Sequence, residues 1–307
     1  MLKVVFFGTP AVAVPFLEKL SALASVRGVV TAPDKPAGRG YAVQSPAVKA
    51  AADKLGLPVF QPATLKGFSL EALGPLDLGL VVAYGKLIPP EIFDMPRFGL
   101  VNVHFSLLPK YRGAGPVQWA LIHGERETGV SLFRIEKGLD TGPVYLKKAV
   151  TVGVEDDSAV LRERLVEAGL ELTEELFRGL EAGNFTAQPQ QGEPTFAPLL
   201  KKEDGLIRWE EKTAEQIACI VRGTYEWPGA FTRFRGKTVK IRSAVALSGG
   251  EGVPGTLISL ERGEGLLVQC RSGRLKVRRL QPEGKREMSA DDFWNGFRPS
   301  PGERFEV

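Results

Sequence analysis

Hydrophobic positions along the chain fall into two regimes. In the first half, continuous apolar runs recur: LKVVFFG (2–8), VRGVVTA (26–32), LPVF (57–60), LGLVVA (78–83) and GLVNVH (99–104). A run with no polar alternation suits a strand covered on both faces. Helical stretches lie between the runs. The clearest is AVKAAADKLG, with Ser45 expected to cap it, Pro46 in its first turn and Gly56 at its end. A longer helix is expected over about 158–181. Strands alternating with helices predict a Rossmann-like α/β domain built on a mostly parallel sheet, because parallel strands need crossover connections. Ligands of such sheets bind beyond the carboxyl ends of the strands, which directs attention to the residues after Gly8, Ala83 and Val103.

From about residue 184 the pattern breaks. NFTAQPQQGEPTFAPLLKKEDG (184–205) carries prolines, glutamines and glycines without helical periodicity, and its later part reads as a linker. Beyond it, short alternating strands take over. In 231–235, Arg233 and Arg235 share a face opposite Phe234. A turn at Arg235-Gly236-Lys237 leads back through 238–242, with Val239 and Ile241 inward and Lys240 and Arg242 outward. Arg274, Lys276 and Arg278 alternate with Leu275 and Val277 in the same way. The expected organisation is a catalytic domain over 1–189, a linker over 190–205 and a small C-terminal β-barrel of the OB-fold type over 206–307.

Composition narrows the classes. In 307 residues, 43% hydrophobic and 25% charged, no apolar stretch is long enough to span a bilayer. Only two histidines and two distant cysteines are present, without a Cys-x-x-Cys, so no metal is expected and Cys219 and Cys270 are expected as buried thiols. The net charge of +4 is unevenly spread. Residues 206–307 hold 18 Lys/Arg against 13 Asp/Glu, whereas the remainder is close to neutral. A basic C-terminal third hints at a polyanionic partner.

The segment richest in chemistry is VNVHFSLLPKYRGAGPVQWALIHGERETGVSLFRIEKGLDTG (101–142). Asn102 and His104 lie two apart, so in a strand they project to one side. An amide donor beside an imidazole serves acyl transfer, the amide facing an oxyanion and the imidazole moving protons. A pair of satisfied hydrogen bonds at a strand end is the competing reading. Gly138-Leu139-Asp140-Thr141-Gly142 is a second polar loop, in which Asp140 could equally close a turn. No G-x-G-x-x-G follows the first strand, and no P-loop or G-x-S-x-G occurs, so neither dinucleotide binding nor a serine nucleophile is indicated.

The motifs NVHFSLLPKYRGAGPVQWAL and ETGVSLFRIEKGLDTG resemble the folate-dependent formyltransferases, matching at Asn102, His104, Ser106 to Pro109 and Asp140. FFGTP (6–10), APDKPAGRG (32–40), TYEWPGAF (224–231) and NGFRPSPGERF (295–305) are similar to the methionyl-tRNA formyltransferase branch. The chain departs from that pattern at Phe105, where glycine is common, and at Tyr41-Ala42, where related loops often carry lysines.

The resemblance implies 10-formyltetrahydrofolate as formyl donor and the amine of initiator methionyl-tRNA as acceptor, in translation initiation. It implies catalysis by Asn102, His104 and Asp140, with no metal or covalent intermediate. The folate would lie against Ser106, Leu107, Leu108 and Pro109 and the Leu87-Ile88-Pro89 turn. Lys35, Arg39, Arg233, Arg235, Lys240, Arg242, Arg274, Lys276 and Arg278 are the expected tRNA contacts. A cytoplasmic, monomeric enzyme is expected. The alternatives are a formyltransferase of an amino sugar nucleotide and a non-catalytic nucleic-acid-binding protein on the same fold.

Overall fold

The structure is a computed structural model describing residues 1–37, 42–300 and 302–307. The chain divides into two compact units. The first comprises Met1–Pro116, Thr128–Val150 and Glu163–Ala197; the second comprises Val117–Glu127, Thr151–Arg162 and Pro198–Val307. Beside the residues expected for a C-terminal domain, the second unit thus also takes in two segments from the first half of the chain.

The apolar runs of the first half become the strands of a seven-stranded sheet. In chain order they are β1 (Lys3–Gly8), β2 (Ser25–Val30), a hairpin of β3 (Lys35–Ala37) and β4 (Ala42–Gln44) outside the sheet, β5 (Val59–Phe60), β6 (Leu78–Val82), β7 (Leu100–His104), β8 (Glu127–Arg134) and β9 (Val144–Thr151). Their order across the sheet is β5-β2-β1-β6-β7-β8-β9. Neighbours from β5 to β7 run parallel, and β8 reverses against β7, with His104 opposite Ser131 and Asn102 opposite Phe133. Every residue of β6 is buried, as is all of β1 except Lys3, which explains their unbroken apolar sequence.

The connecting helices are α1 (Val14–Leu23), α2 (Ala47–Lys54), α3 (Pro90–Phe93), α4 (Pro116–Ile122) and α5 (Ser158–Glu181). Ser45 does not cap α2. Pro46 holds that position without a side-chain bond, and the first turn starts from proline's fixed φ. Gly56 follows the helix in the left-handed region (φ 66°), as a terminating glycine should.

In the second unit, α6 (Ala214–Gly223) opens with a capping box between Thr213 and Gln216. The barrel sheet follows: β10 (Ala230–Phe234), β11 (Lys237–Leu247), β12 (Leu257–Glu261), β13 (Gly265–Gln269), β14 (Arg274–Pro282) and the short β15 (Met288–Ser289), then α7 (Ala290–Phe297). Strand order is β10-β11-β14-β13-β12, antiparallel throughout, with β15 on β14. Arg235 and Gly236 both have positive φ (49° and 73°) and connect β10 to β11, the geometry that matches strand twist in a two-residue hairpin. The core gathers Trp209, Phe234, Phe293 and Phe305, with the Trp209 and Phe305 rings stacked at 5.7 Å. Cys270 is buried there, its thiol pushed up to about 12 by desolvation, while Cys219 is half-buried. Among the described residues, no helix is long and apolar enough to cross a membrane.

Candidate active site

The site lies at the carboxyl end of β7, where a parallel sheet places ligands. Asn102 and His104 occupy alternate positions of that strand and share a face. His104 is 5% exposed, and its Nε2 sits 2.9 Å from the Tyr111 carbonyl oxygen. A carbonyl only accepts, so Nε2 carries the proton and the neutral ring keeps its lone pair on Nδ1. That nitrogen faces Asp140, 3.7 Å from Oδ2. The gap is too wide for a direct hydrogen bond but close enough for strong Coulombic coupling.

Burial lowers the His104 pKa below the usual 6.5, and the Asp140 charge and the Tyr111 carbonyl oppose that shift only in part. The imidazole is therefore neutral at pH 7, with Nδ1 as a proton acceptor and a carboxylate beside it to stabilise the imidazolium. The Asn102 side chain is half-buried and has no hydrogen-bond partner among the described residues, which leaves its amide N–H groups free to meet a ligand oxygen.

Asp140 is held in place from several directions. It adopts φ 51°, and its Oδ2 accepts from the Gly113 amide at 2.7 Å. Its carbonyl, together with that of Gly142, accepts from the Gln190 amide at 2.8 Å. Gln190 Oε1 in turn accepts from Arg112 at 2.7 and 3.3 Å. Tyr111, which presents its carbonyl to His104, is itself in the left-handed region (φ 61°), and its amide donates to Thr195 Oγ1 at 2.9 Å. Residues 195–197 run beside 112–115, with Arg112 N donating to Thr195 O, Ala197 N to Arg112 O and Gly115 N to Ala197 O at 2.8–3.0 Å. The segment from 188 to 197, expected as the tail of the domain and the start of a linker, is therefore a strap bonded to the 111–115 loop and to the Asp140–Gly142 turn. Gly113 lies in a loop whose glycines suggest a close backbone approach, whereas Tyr111, Gln190 and Thr195 carry no sequence signal, because their bonds join loops distant in the chain.

The expected folate-lining residues separate into two groups. Leu87 is 92% exposed, and Leu107 and Pro89 are partly exposed. Ser106, Leu108, Pro109 and Ile88 are buried. The Ser106 hydroxyl donates to the Lys110 carbonyl, and the Ser106 carbonyl and Leu108 amide both bond Ser131 Oγ. Ser106 thus braces the turn. Lys147 of β9 donates to the Leu108 carbonyl.

The expected tRNA contacts also differ from a free basic face. Arg235 forms a two-point pair with Glu303 at 2.8 Å. Arg242 stacks on Tyr225 at 4.3 Å and pairs with Glu287. Lys276 meets both Glu261 and Glu264, Arg278 meets Glu155, and Lys240 donates to the Pro228 carbonyl. Arg274 is half-buried, with Nε unpartnered. Arg233 is exposed, and among the described residues its guanidinium has no partner. Lys35 is exposed on β3, and Arg39 lies outside the described residues. Alternation predicted the outward direction of these strands correctly, but acidic residues distant in sequence neutralise much of their charge.

Two family models match the chain: Formyl transferase over residues 2–175, and Formyl transferase, C-terminal domain, over 199–298. Methionyl-tRNA formyltransferase of Thermodesulfovibrio yellowstonii is 44% identical over 304 residues, covering 97% of each chain. The protein of the same name from Pelotomaculum thermopropionicum is 44% identical over 302 residues, covering 96% of each. Among solved structures, an N-formyltransferase of Helicobacter canadensis, in complex with folinic acid and dTDP-3-aminofucose, superposes with TM-score 0.68 at 17% identity, covering 92% of this chain and all of that one. HypX of Aquifex aeolicus, in complex with tetrahydrofolic acid, gives 0.63 at 18% identity; this chain spans about half of that longer protein. At such identities the likeness establishes the fold alone, whereas the full-length relatives establish more. The chain belongs to the formyl transferase family, in the branch of the methionyl-tRNA formyltransferases.

Proposed function

We propose that the protein transfers the formyl group of 10-formyltetrahydrofolate to the α-amino group of initiator methionyl-tRNA. The observation that carries the reading is the unpartnered amide of Asn102, two residues from a buried, neutral His104 whose Nδ1 faces Asp140. The amine nitrogen attacks the formyl carbon, and the carbonyl oxygen becomes an oxyanion that the Asn102 amide can receive. As the new C–N bond forms, the amine proton passes to Nδ1 of His104, where Asp140 stabilises the imidazolium. The bond from the formyl carbon to folate N10 then breaks, and the proton is delivered to N10, so proton balance closes without an external acid. The exposed Leu87 and the partly exposed Leu107 and Pro89 supply apolar surface for the folate. Arg233 of the barrel and Lys35 of β3 supply positive charge for the tRNA backbone.

The test is direct formylation. Protein, 10-formyltetrahydrofolate and methionyl-initiator tRNA should give formylmethionyl-tRNA, and Asn102→Ala should lower kcat by about 10²-fold or more, as loss of an oxyanion donor does, with tRNA affinity nearly unchanged. Formylation of a dTDP-amino sugar with none of methionyl-tRNA would replace the acceptor and overturn this reading.

A further inference from the structure

The strongest unassigned feature is the side chain of Gln190. It sits on the strap, away from the strand that carries Asn102 and His104, yet it bridges the two loops that complete the site. Its amide nitrogen donates to the carbonyls of Asp140 and Gly142, at 2.8 Å each. Its amide oxygen accepts from Arg112 Nε and a terminal nitrogen, at 3.3 and 2.7 Å. Arg112 belongs to the loop in which Tyr111 holds His104 and Gly113 holds the Asp140 carboxylate. An amide is the one neutral group that can serve all these partners, because it needs a donor toward the carbonyls and an acceptor toward the guanidinium.

Asp140 has a backbone that resists its observed pose. Asp140 sits at φ 51°, in the left-handed region that an aspartate visits but does not favour, so bonds to its loop help to hold the pose. Gln190 bonds the carbonyl of that very residue and that of the residue two further on. Releasing it lets the 140 loop relax, and the carboxylate then leaves its place 3.7 Å from His104 Nδ1.

We infer that Gln190 is a positioning residue for formyl transfer, fixing Asp140 against His104 by clamping the Asp140–Gly142 turn to the Arg112 loop. The inference rests on the acyl-transfer role proposed for those residues. It assigns the glutamine no contact with either substrate, so it acts on turnover and not on binding. A displacement of about 1 Å in a catalytic group costs on the order of 10²-fold in rate, which sets the scale.

Two substitutions separate the clamp from a general structural role. Gln190→Ala removes both halves. Gln190→Glu keeps the acceptor for Arg112, and strengthens it, but turns a carboxylate oxygen toward two carbonyls. If the strap merely needs its bond to Arg112, the glutamate rescues. If the clamp on the 140 turn matters, the glutamate is as impaired as the alanine. The experiment measures kcat and KM for both substrates with wild type and both variants, beside circular dichroism and melting curves.

The expected result is a fall in kcat of tenfold or more in both variants, with each KM within twofold and the protein folded at the assay temperature. Rescue by Gln190→Glu, kcat within twofold of wild type in either variant, a change confined to KM, or a rate loss matched by the unfolded fraction would each overturn it. Wild type in the same assay keeps the two readings apart. An inactive wild type would sink the formyl-transfer proposal, whereas an active wild type with unaffected variants would sink only this one.

Discussion

Replacing Gly113 by alanine tests the geometry of the site most sharply. A Cβ built on Gly113 meets the Ala197 carbonyl oxygen at 2.5 Å and its carbon at 3.1 Å. Relief to ordinary van der Waals separation requires about 1 Å of movement. The obstacle is backbone, and it is pinned: Ala197 N donates to Arg112 O and Gly115 N donates to Ala197 O. Gly113 also has φ 123°, a conformation that costs an alanine roughly 1–3 kcal/mol. The loop must therefore shift away from the strap, which draws the Gly113 amide off Asp140 Oδ2, now 2.7 Å away, and forfeits a charge-assisted hydrogen bond. The combined destabilisation is about 3 kcal/mol, corresponding to roughly 6–12 °C in Tm for a unit of this size. Because the displaced group is the carboxylate facing His104, kcat should fall by about 10²-fold. The assay is single-turnover formylation beside thermal melting. Gly56→Ala is the control, since Gly56 has φ 66° but nothing within 4 Å of its added Cβ, so it should cost about 1–2 kcal/mol and leave turnover alone. A Gly113→Ala enzyme within twofold of wild-type kcat, or a Gly56→Ala enzyme equally inactive, would refute the reasoning.

Further outcomes follow from the electrostatics. Asp140→Asn removes the charge that partly opposes burial at His104, so the histidine should titrate lower still when followed by NMR. A histidine with a depressed folded pKa contributes stability that is complete above its unfolded value near 6.5 and drains as pH falls below it. Urea midpoints should therefore decline on acidification from pH 7.5 to 5, and more steeply in Asp140→Asn; parallel declines would contradict the assigned coupling. On the barrel, Arg233→Ala should weaken tRNA binding and reduce its salt slope by about 1, whereas Lys276→Ala, whose ammonium already meets two carboxylates, should change the slope less. Equal slopes for the two variants would show that intramolecular pairing does not set the contribution.

How far the sequence could be read depends on which interactions leave a pattern. The strands of the first sheet are legible because burial on both faces forces unbroken apolar runs, as in β1 and β6. The pair Asn102 and His104 is legible because two polar groups interrupt such a run with strand spacing. Asp140 is ambiguous by itself, since an aspartate in a glycine-flanked turn suits a loop equally well, and the family pattern is what singled it out. The strap could not be read at all. Its bonds to 111–115, backbone and side-chain alike, form across about eighty residues, and its prolines and glutamines look like those of any linker. The bracing role of Ser106 is hidden for a similar reason, since a hydroxyl that braces a turn is indistinguishable in sequence from one that lines a pocket. The basic strands of the barrel were placed correctly, but Glu155, Glu261, Glu264, Glu287 and Glu303, which pair with them, lie on other elements.

The strap also has a consequence for the order in which the protein is made. Synthesis runs from the N-terminus, so β7, the 111–115 loop and the Asp140–Gly142 turn leave the ribosome well before residues 188–197. Until those residues emerge, Tyr111 lacks Thr195, Arg112 lacks Gln190, and nothing from the strap holds the turn that carries Asp140. The nascent sheet can form early, but the bonds that pin Tyr111, Arg112 and the Asp140 turn close only once a piece of chain translated roughly fifty residues after Asp140 has emerged.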